Sequence, residues 1–136
     1  MNYPVEIEKD GDGFIARFPD VPEALTGGAS REETLVEAQG ALITAFEFYF
    51  EDQRPIPLPS EITGESVAVP VSVWAKVLLL NTMLDAQVTQ SELARRMGTR
   101  KQELQRVINL AHSTKIDTLA RAMKALGKNL TVSVSS

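Results

Sequence analysis

A chain of 136 residues, 43% apolar and 24% charged, can form one ordinary domain or two small ones, and domains of roughly 65 residues are marginal alone. With no cysteine, a disulfide framework and a thiolate metal site are excluded; apolar runs such as 77–80 fall far short of the ~20 residues of a membrane helix, and no basic-then-apolar leader opens the chain, so a cytoplasmic protein is expected. The net charge of −4 conceals polarity: residues 85–128 hold nine Lys or Arg against four acids, a balance of +5, and the remainder holds five against fourteen, a balance of −9. One part suits phosphates and the other would be repelled by them, which favours two domains.

At the start, Tyr3, Val5 and Ile7 alternate with Glu6 and Glu8, and Phe14, Ala16 and Phe18 alternate with Ile15 and Arg17. Asp10-Gly11-Asp12-Gly13 lies between them and predicts a tight hairpin loop, since these residues tolerate positive φ. A calcium loop would also begin D-G-D-G, but its later ligands and closing glutamate are missing. The turn at Pro19-Asp20-Val21-Pro22-Glu23 leads to a possible third strand at 24–26 before Gly27-Gly28. Ser30 with Glu33 reads as a capping box opening a helix whose stripe, Leu35, Ala38, Leu42, Phe46 and Tyr49, continues to about Phe50 and packs on the hairpin sheet. Phe48 and Phe50 lie off that stripe, as an interaction surface or as the edge of a wide buried face. The segment 54–59, RPIPLP, cannot be helical, and 67–71 is a possible closing strand. A domain boundary follows, giving domains at 1–69 and 70–136.

Ser72 can cap a helix over 73–84, with Trp74, Val77, Leu78 and 80–84 inside. Thr89 and Glu92 form a further capping box, Leu93, Ala94 and Met97 fall at helical spacing, and Gly98 stops the helix; Thr99 and Gln102 repeat the device at once. That is the outline of a helix-turn-helix, although bundles that never touch nucleic acid share it. Its second helix turns Leu104, Val107, Ile108 and Ala111 inward and gathers Arg100, Lys101, Gln102, Gln105 and Arg106 on its first turns. Arg and Lys pair with guanine edges or phosphates, Gln bonds an adenine edge in two places, and the start of such a helix enters the major groove. After a loop at 111–114, a helix over 115–126 buries Ile116, Leu119, Ala120, Met123 and Leu126, with Gly127 as its C-cap. Leu130, Val132 and Val134 then alternate with Thr131, Ser133 and Ser135, which predicts a terminal strand paired with a symmetric partner's copy.

In this order, YPVEIEKDGDGFIARFPDVPEALTGG, the EA-A-A-F-FYFED run of the helix, RPIPLP and TKIDTLARAMKALGK resemble a HicB-type antitoxin of a bacterial toxin–antitoxin pair over nearly the whole chain. The resemblance implies an N-terminal domain like a truncated RNase H fold that binds a small mRNA-cleaving HicA-type toxin, and a C-terminal domain that binds the operator of its own operon. The helix-turn-helix also looks like the phage-repressor type, in which Gln90 supports backbone contacts while the start of the next helix reads bases; Ser91 beside it is a further DNA-binding candidate. Glu103 departs from a reading helix, and must face away from phosphate or accept from a cytosine amino group.

An RNase H likeness raises a two-metal nuclease as an alternative. Of its candidate acids, Asp10 and Asp12 serve the turn, Glu6 and Glu8 point off a polar strand face, and the helix stripe carries none; His112, the sole histidine, has no partner for a triad. The expectation is therefore an α+β, non-enzymatic antitoxin and autorepressor without cofactor or metal, acting as a homodimer or higher homo-oligomer. Its toxin-facing candidates are Asp20, Pro22, Glu23, Phe48 and Phe50, where aromatic and proline surface adjoins carboxylates that steer a basic partner. A ligand-sensing helix-turn-helix regulator is the rival reading.

Overall fold

The computed structural model describes residues 1–136, in an α+β arrangement of small antiparallel sheets and five helices. Two compact units divide the chain, Met1–Trp74 and Ala75–Ser136. No helix is long and apolar enough to cross a membrane.

The first unit begins with an extended run that changes partner at Val5. β1 (Asn2–Pro4) pairs with β5 (Ser66–Ala68), while β2 (Glu6–Asp10), β3 (Gly13–Arg17) and β4 (Leu25–Gly28) form a separate antiparallel sheet in that order. The hairpin expected from the alternation is present, with Ile7 opposite Ala16 and Asp10 opposite Gly13. Only Gly11 in its loop has positive φ, 61°. Gly13 answers to a different demand, because a Cβ there would lie 2.7 Å from the Gly28 carbonyl oxygen. Gly27 and Gly28 belong to the third strand instead of following it: Cβ atoms on them would meet the Phe14 carbonyl oxygen at 2.8 Å and the Thr34 hydroxyl at 2.9 Å, so close packing selects glycine at both.

α1 (Arg31–Asp52) starts where Ser30 accepts from the Glu33 N–H at 3.1 Å; the Glu33 carboxylate reaches back to the Ala29 N–H at 3.2 Å. Its buried side, Thr34, Ala38, Leu42, Ala45, Phe46 and Tyr49, lies on the sheet, and full burial of each Leu or Phe contributes about 1.5–3 kcal/mol. Leu35 is half-buried at the margin. Tyr3, fully buried, packs against Phe46 at 5.5 Å and Trp74 at 6.2 Å between ring centroids and donates its hydroxyl to the Pro57 carbonyl at 2.7 Å. That bond and the buried Ile56 hold the proline-rich segment to the core without regular structure.

α2 (Val71–Asp85) spans the division at Trp74. Ser72 is inside this helix and not its cap, because the first helical bond runs from the Trp74 N–H to the Pro70 carbonyl at 2.9 Å. In the second unit, α3 (Gln90–Arg96), α4 (Lys101–Ile108) and α5 (Ile116–Ala125) join it around Leu79, Leu80, Leu93, Leu104 and Leu119. Residues 128–136 form no ladder within the chain, with Val132 77% and Val134 99% exposed. A strand exists only against a partner strand, and the second unit is otherwise helical.

Candidate functional site

Two groups of side chains carry chemistry, and each lies within one unit. In the second unit, Thr89 accepts from the Glu92 N–H at 3.1 Å and opens α3. The Glu92 carboxylate does not complete the box; it takes Arg95 at 2.6 Å and Arg96 at 3.1 Å, and these hydrogen bonds, Arg95 first, hold its pKa below the ordinary 4.5. The turn to α4 is made at Gly98, φ 68°, where Gly98 N–H bonds the Arg95 carbonyl and Thr99 N–H the Ala94 carbonyl. Thr99 therefore closes α3 and does not cap α4. The N-cap of α4 is Arg100, without a side-chain cap bond.

Gln90 is the first residue of α3 and half-buried; Ser91 beside it is exposed. Arg100, Lys101, Gln102, Gln105 and Arg106 are all exposed: Gln102 and Arg106 opposite buried Leu104 and Ile108, Gln105 on the flank, and Arg100 and Lys101 at the N-terminal end of α4. Whereas Arg95 and Arg96 are engaged by Glu92, no acid pairs with Arg100, Lys101 or Arg106. Three uncompensated cations and two amides thus share one short helix and its N-cap, with Arg106 in the last turn. Glu103 is turned about 160° around the axis from Gln105, off the amide face. Ala111, expected on the inward face, is exposed because α4 ends at Ile108 with Asn109 as its C-cap.

Lys76 of α2 belongs to no motif in the sequence. It is fully buried, and its ammonium donates to the Asn109 carbonyl at 2.6 Å and to the His112 carbonyl. Burial lowers its pKa from 10.5. A cation at the C-terminal end of α4 opposes the negative end of the helix dipole and ties down the loop that follows. The Asn109 side chain takes the Ala111 N–H at 2.9 Å, and Thr114 reaches the Val107 carbonyl at 3.0 Å, so the loop after α4 is held from within. The available signal in the sequence was a single charge in the apolar run 73–80.

In the first unit the candidate acids have internal partners. Asp20 accepts from the Ser60 N–H at 2.8 Å and hydroxyl at 3.0 Å. Glu23 accepts from the Tyr49 hydroxyl at 2.7 Å and faces Arg54 at 3.4 Å, while Arg54 stacks over the Tyr49 ring at 4.2 Å. The Tyr49 hydroxyl is the main reason the Glu23 carboxyl titrates below its ordinary range; burial chiefly, with Glu23 adding, raises that of Tyr49. Pro22 lines a shallow cleft of about 250 Å³ with Glu6, Arg17, Phe18, Pro19 and Leu25. Phe48 is 52% exposed and Phe50 half-exposed, but two residues apart on a helix they point about 160° away from each other and share no edge.

Residues 2–78 match the family described as HicB_like antitoxin of bacterial toxin-antitoxin system. Over 130 residues, 96% of this chain and 94% of the relative, the chain is 60% identical to Antitoxin HicB 2 of Photorhabdus laumondii. It is 50% identical to Antitoxin HicB of Escherichia coli K12, covering 97% and 98% of the two chains, and 34% identical to Antitoxin HicB of Pseudomonas fluorescens, covering 100% and 95%.

Proposed function

We propose that this chain, which belongs to the HicB-like antitoxins of bacterial toxin–antitoxin systems, neutralises a small mRNA-cleaving toxin with its acidic unit and represses its own operon with its helix-turn-helix. The observation that carries the DNA-binding half is the cluster on α4, where Arg100, Lys101 and Arg106 have no acid partner beside Gln102 and Gln105. Phosphate neutralisation by the cations supplies affinity, and the amides supply base preference. The toxin-binding half is supported by charge: Met1–Trp74 holds fourteen acids against four basic residues, and a surface that grips RNA must be basic. Pro22 and Phe48 supply exposed apolar contacts there, and Phe50 a half-exposed one on another side of α1, with Asp20 and Glu23 as an ordered carboxylate rim. The working species is a homodimer or higher homo-oligomer joined through residues 130–134.

Titration of a labelled fragment of the chain's own promoter at several salt concentrations tests the DNA-binding half. Lys101→Ala and Arg106→Ala each lower the salt slope by about 0.9, one phosphate contact apiece. The double variant Gln102→Ala, Gln105→Ala loses roughly 1–3 kcal/mol of base discrimination per position while nonspecific affinity holds. Unchanged sequence preference in that double variant overturns the assignment of α4 as the reading helix.

A further inference from the structure

Gly40, near the middle of α1, is a glycine that the fold does not require. Its φ is not positive, and a Cβ placed on it meets no atom within 4 Å. A glycine in an exposed helix interior destabilises the free helix relative to alanine, and no close contact within the chain offsets that cost at Gly40. Close approach of another backbone is what such a glycine permits.

The residues around it point the same way. Val36, Gly40, Ile43, Glu47 and Phe50 recur at alternating spacings of four and three, the pattern of a helix-packing seam, and lie on the side of α1 opposite the buried Ala38, Leu42 and Ala45. Val36 is 74% exposed, and Ile43 and Phe50 are half-exposed. Glu32, Glu33 and Glu51 border this stripe, and neither they nor Glu47 enter an ion pair with a basic side chain. An apolar centre with a glycine notch and a carboxylate rim is thus open along the outer side of α1.

We propose that this stripe is the seat of a basic helix of the toxin, crossing α1 at Gly40. The assignment rests on the antitoxin reading above, and charge selects the occupant. A second copy docked on the same stripe about a two-fold axis would set the Glu32 end of one α1 against the Glu47 and Glu51 carboxylates of the other, whereas a basic helix pairs with all three. It also moves the centre of the toxin face from the Pro19–Glu23 turn, whose acids already have partners, to α1, and keeps Phe50 while leaving Phe48 outside.

The test is Gly40→Ala in the full chain, measured against the purified product of the neighbouring toxin reading frame. Alanine is the better helix former, so the thermal midpoint rises by about 2–5 °C, which shows that the variant folds. Its added methyl group holds the docked helix off, and toxin affinity falls roughly tenfold or more, mainly in the dissociation rate. Val36→Lys lowers affinity as well and slows association, while promoter binding is unchanged in both variants. A stabilised Gly40→Ala chain that binds toxin as tightly as the wild type overturns the proposal. So does a change in sedimentation of the antitoxin alone with toxin affinity intact, which would assign the stripe to a second copy. If the wild-type chain itself fails to bind the toxin, the antitoxin reading falls and this proposal with it.

Discussion

Glu23, Tyr49 and Arg54 show how one hydroxyl can set the behaviour of an exposed acid. The Tyr49 phenol donates to the carboxylate at 2.7 Å and lies beneath the Arg54 guanidinium at 4.2 Å, so it both supplies a hydrogen bond and orients the cation. A carboxyl whose folded pKa lies below its ordinary 4.5 contributes stability that is present above pH 4.5 and lost as pH falls through the folded value. Tyr3 has the opposite sign: burial lifts its hydroxyl above the ordinary 10.0, so its contribution is present below pH 10 and lost as pH rises through the raised value. Replacing Tyr49 with Phe moves the Glu23 titration up toward 4.5, followed by the carboxyl carbon shift in an NMR titration, and flattens the acid limb of the stability profile. A Glu23 midpoint that stays put in Tyr49→Phe would show that Arg54, and not the phenol, holds the charge.

Among the helices, one device recurs at four C-terminal ends. At Gln53, Gln87, Gly98 and Gly127 the chain takes positive φ, and the N–H groups of that residue and the one after it return to the last turn: Gln87 to Leu84 and Val88 to Met83, Gly127 to Lys124 and Lys128 to Met123. Glycine adopts this conformation without a Cβ penalty, and glutamine does not. Gln87→Gly therefore stabilises the second unit by about 0.5–1 kcal/mol, the relief of the left-handed backbone less the extra entropy of an unfolded glycine, measured by urea denaturation. The same change at Lys128, one residue past the αL position of α5, gains nothing, and equal gains at both sites would contradict the account. The repeated device also explains why α3 and α4 need only a short turn: the residues that end one helix are the ones that lead into the next.

At the scale of the molecule, charge is separated along the chain, with ten basic residues against four acids in Ala75–Ser136 and the reverse excess in Met1–Trp74. Such a chain can address a polyanion and a basic protein with different parts, and both associations weaken with salt. Residues 129–136 belong to this scale too, since nothing inside the chain pairs with them. A chain ending at Lys128 is expected to sediment as a smaller species than the full-length protein and to lose cooperative promoter binding, while its first unit keeps its far-UV signal. Equal sedimentation would place self-association elsewhere, with the outer edge of β2 the open strand next in line.

Period and punctuation sufficed for the hairpin, the long α1 and the helix–glycine–helix outline, because these depend on contacts a few residues apart: Gly11 with its neighbours, Ser30 with Glu33, Thr89 with Glu92. The charge separation and the polar cluster on α4 were legible for the same reason, being properties of sequence position on a regular helix. What the tertiary structure decided involves distant partners. Lys76 reads as a solvated charge until the fold brings the carbonyls of Asn109 and His112 to its ammonium. Glu23 reads as a free acid until Tyr49 and Arg54 arrive from 26 and 31 residues away. Thr99 and Ser72 read as caps because local rules do not say which of two adjacent helical bonds forms first. Gly40 is the converse case, a residue whose local cost is plain in the sequence, and only the packed structure, open around it, shows that nothing within the chain repays it.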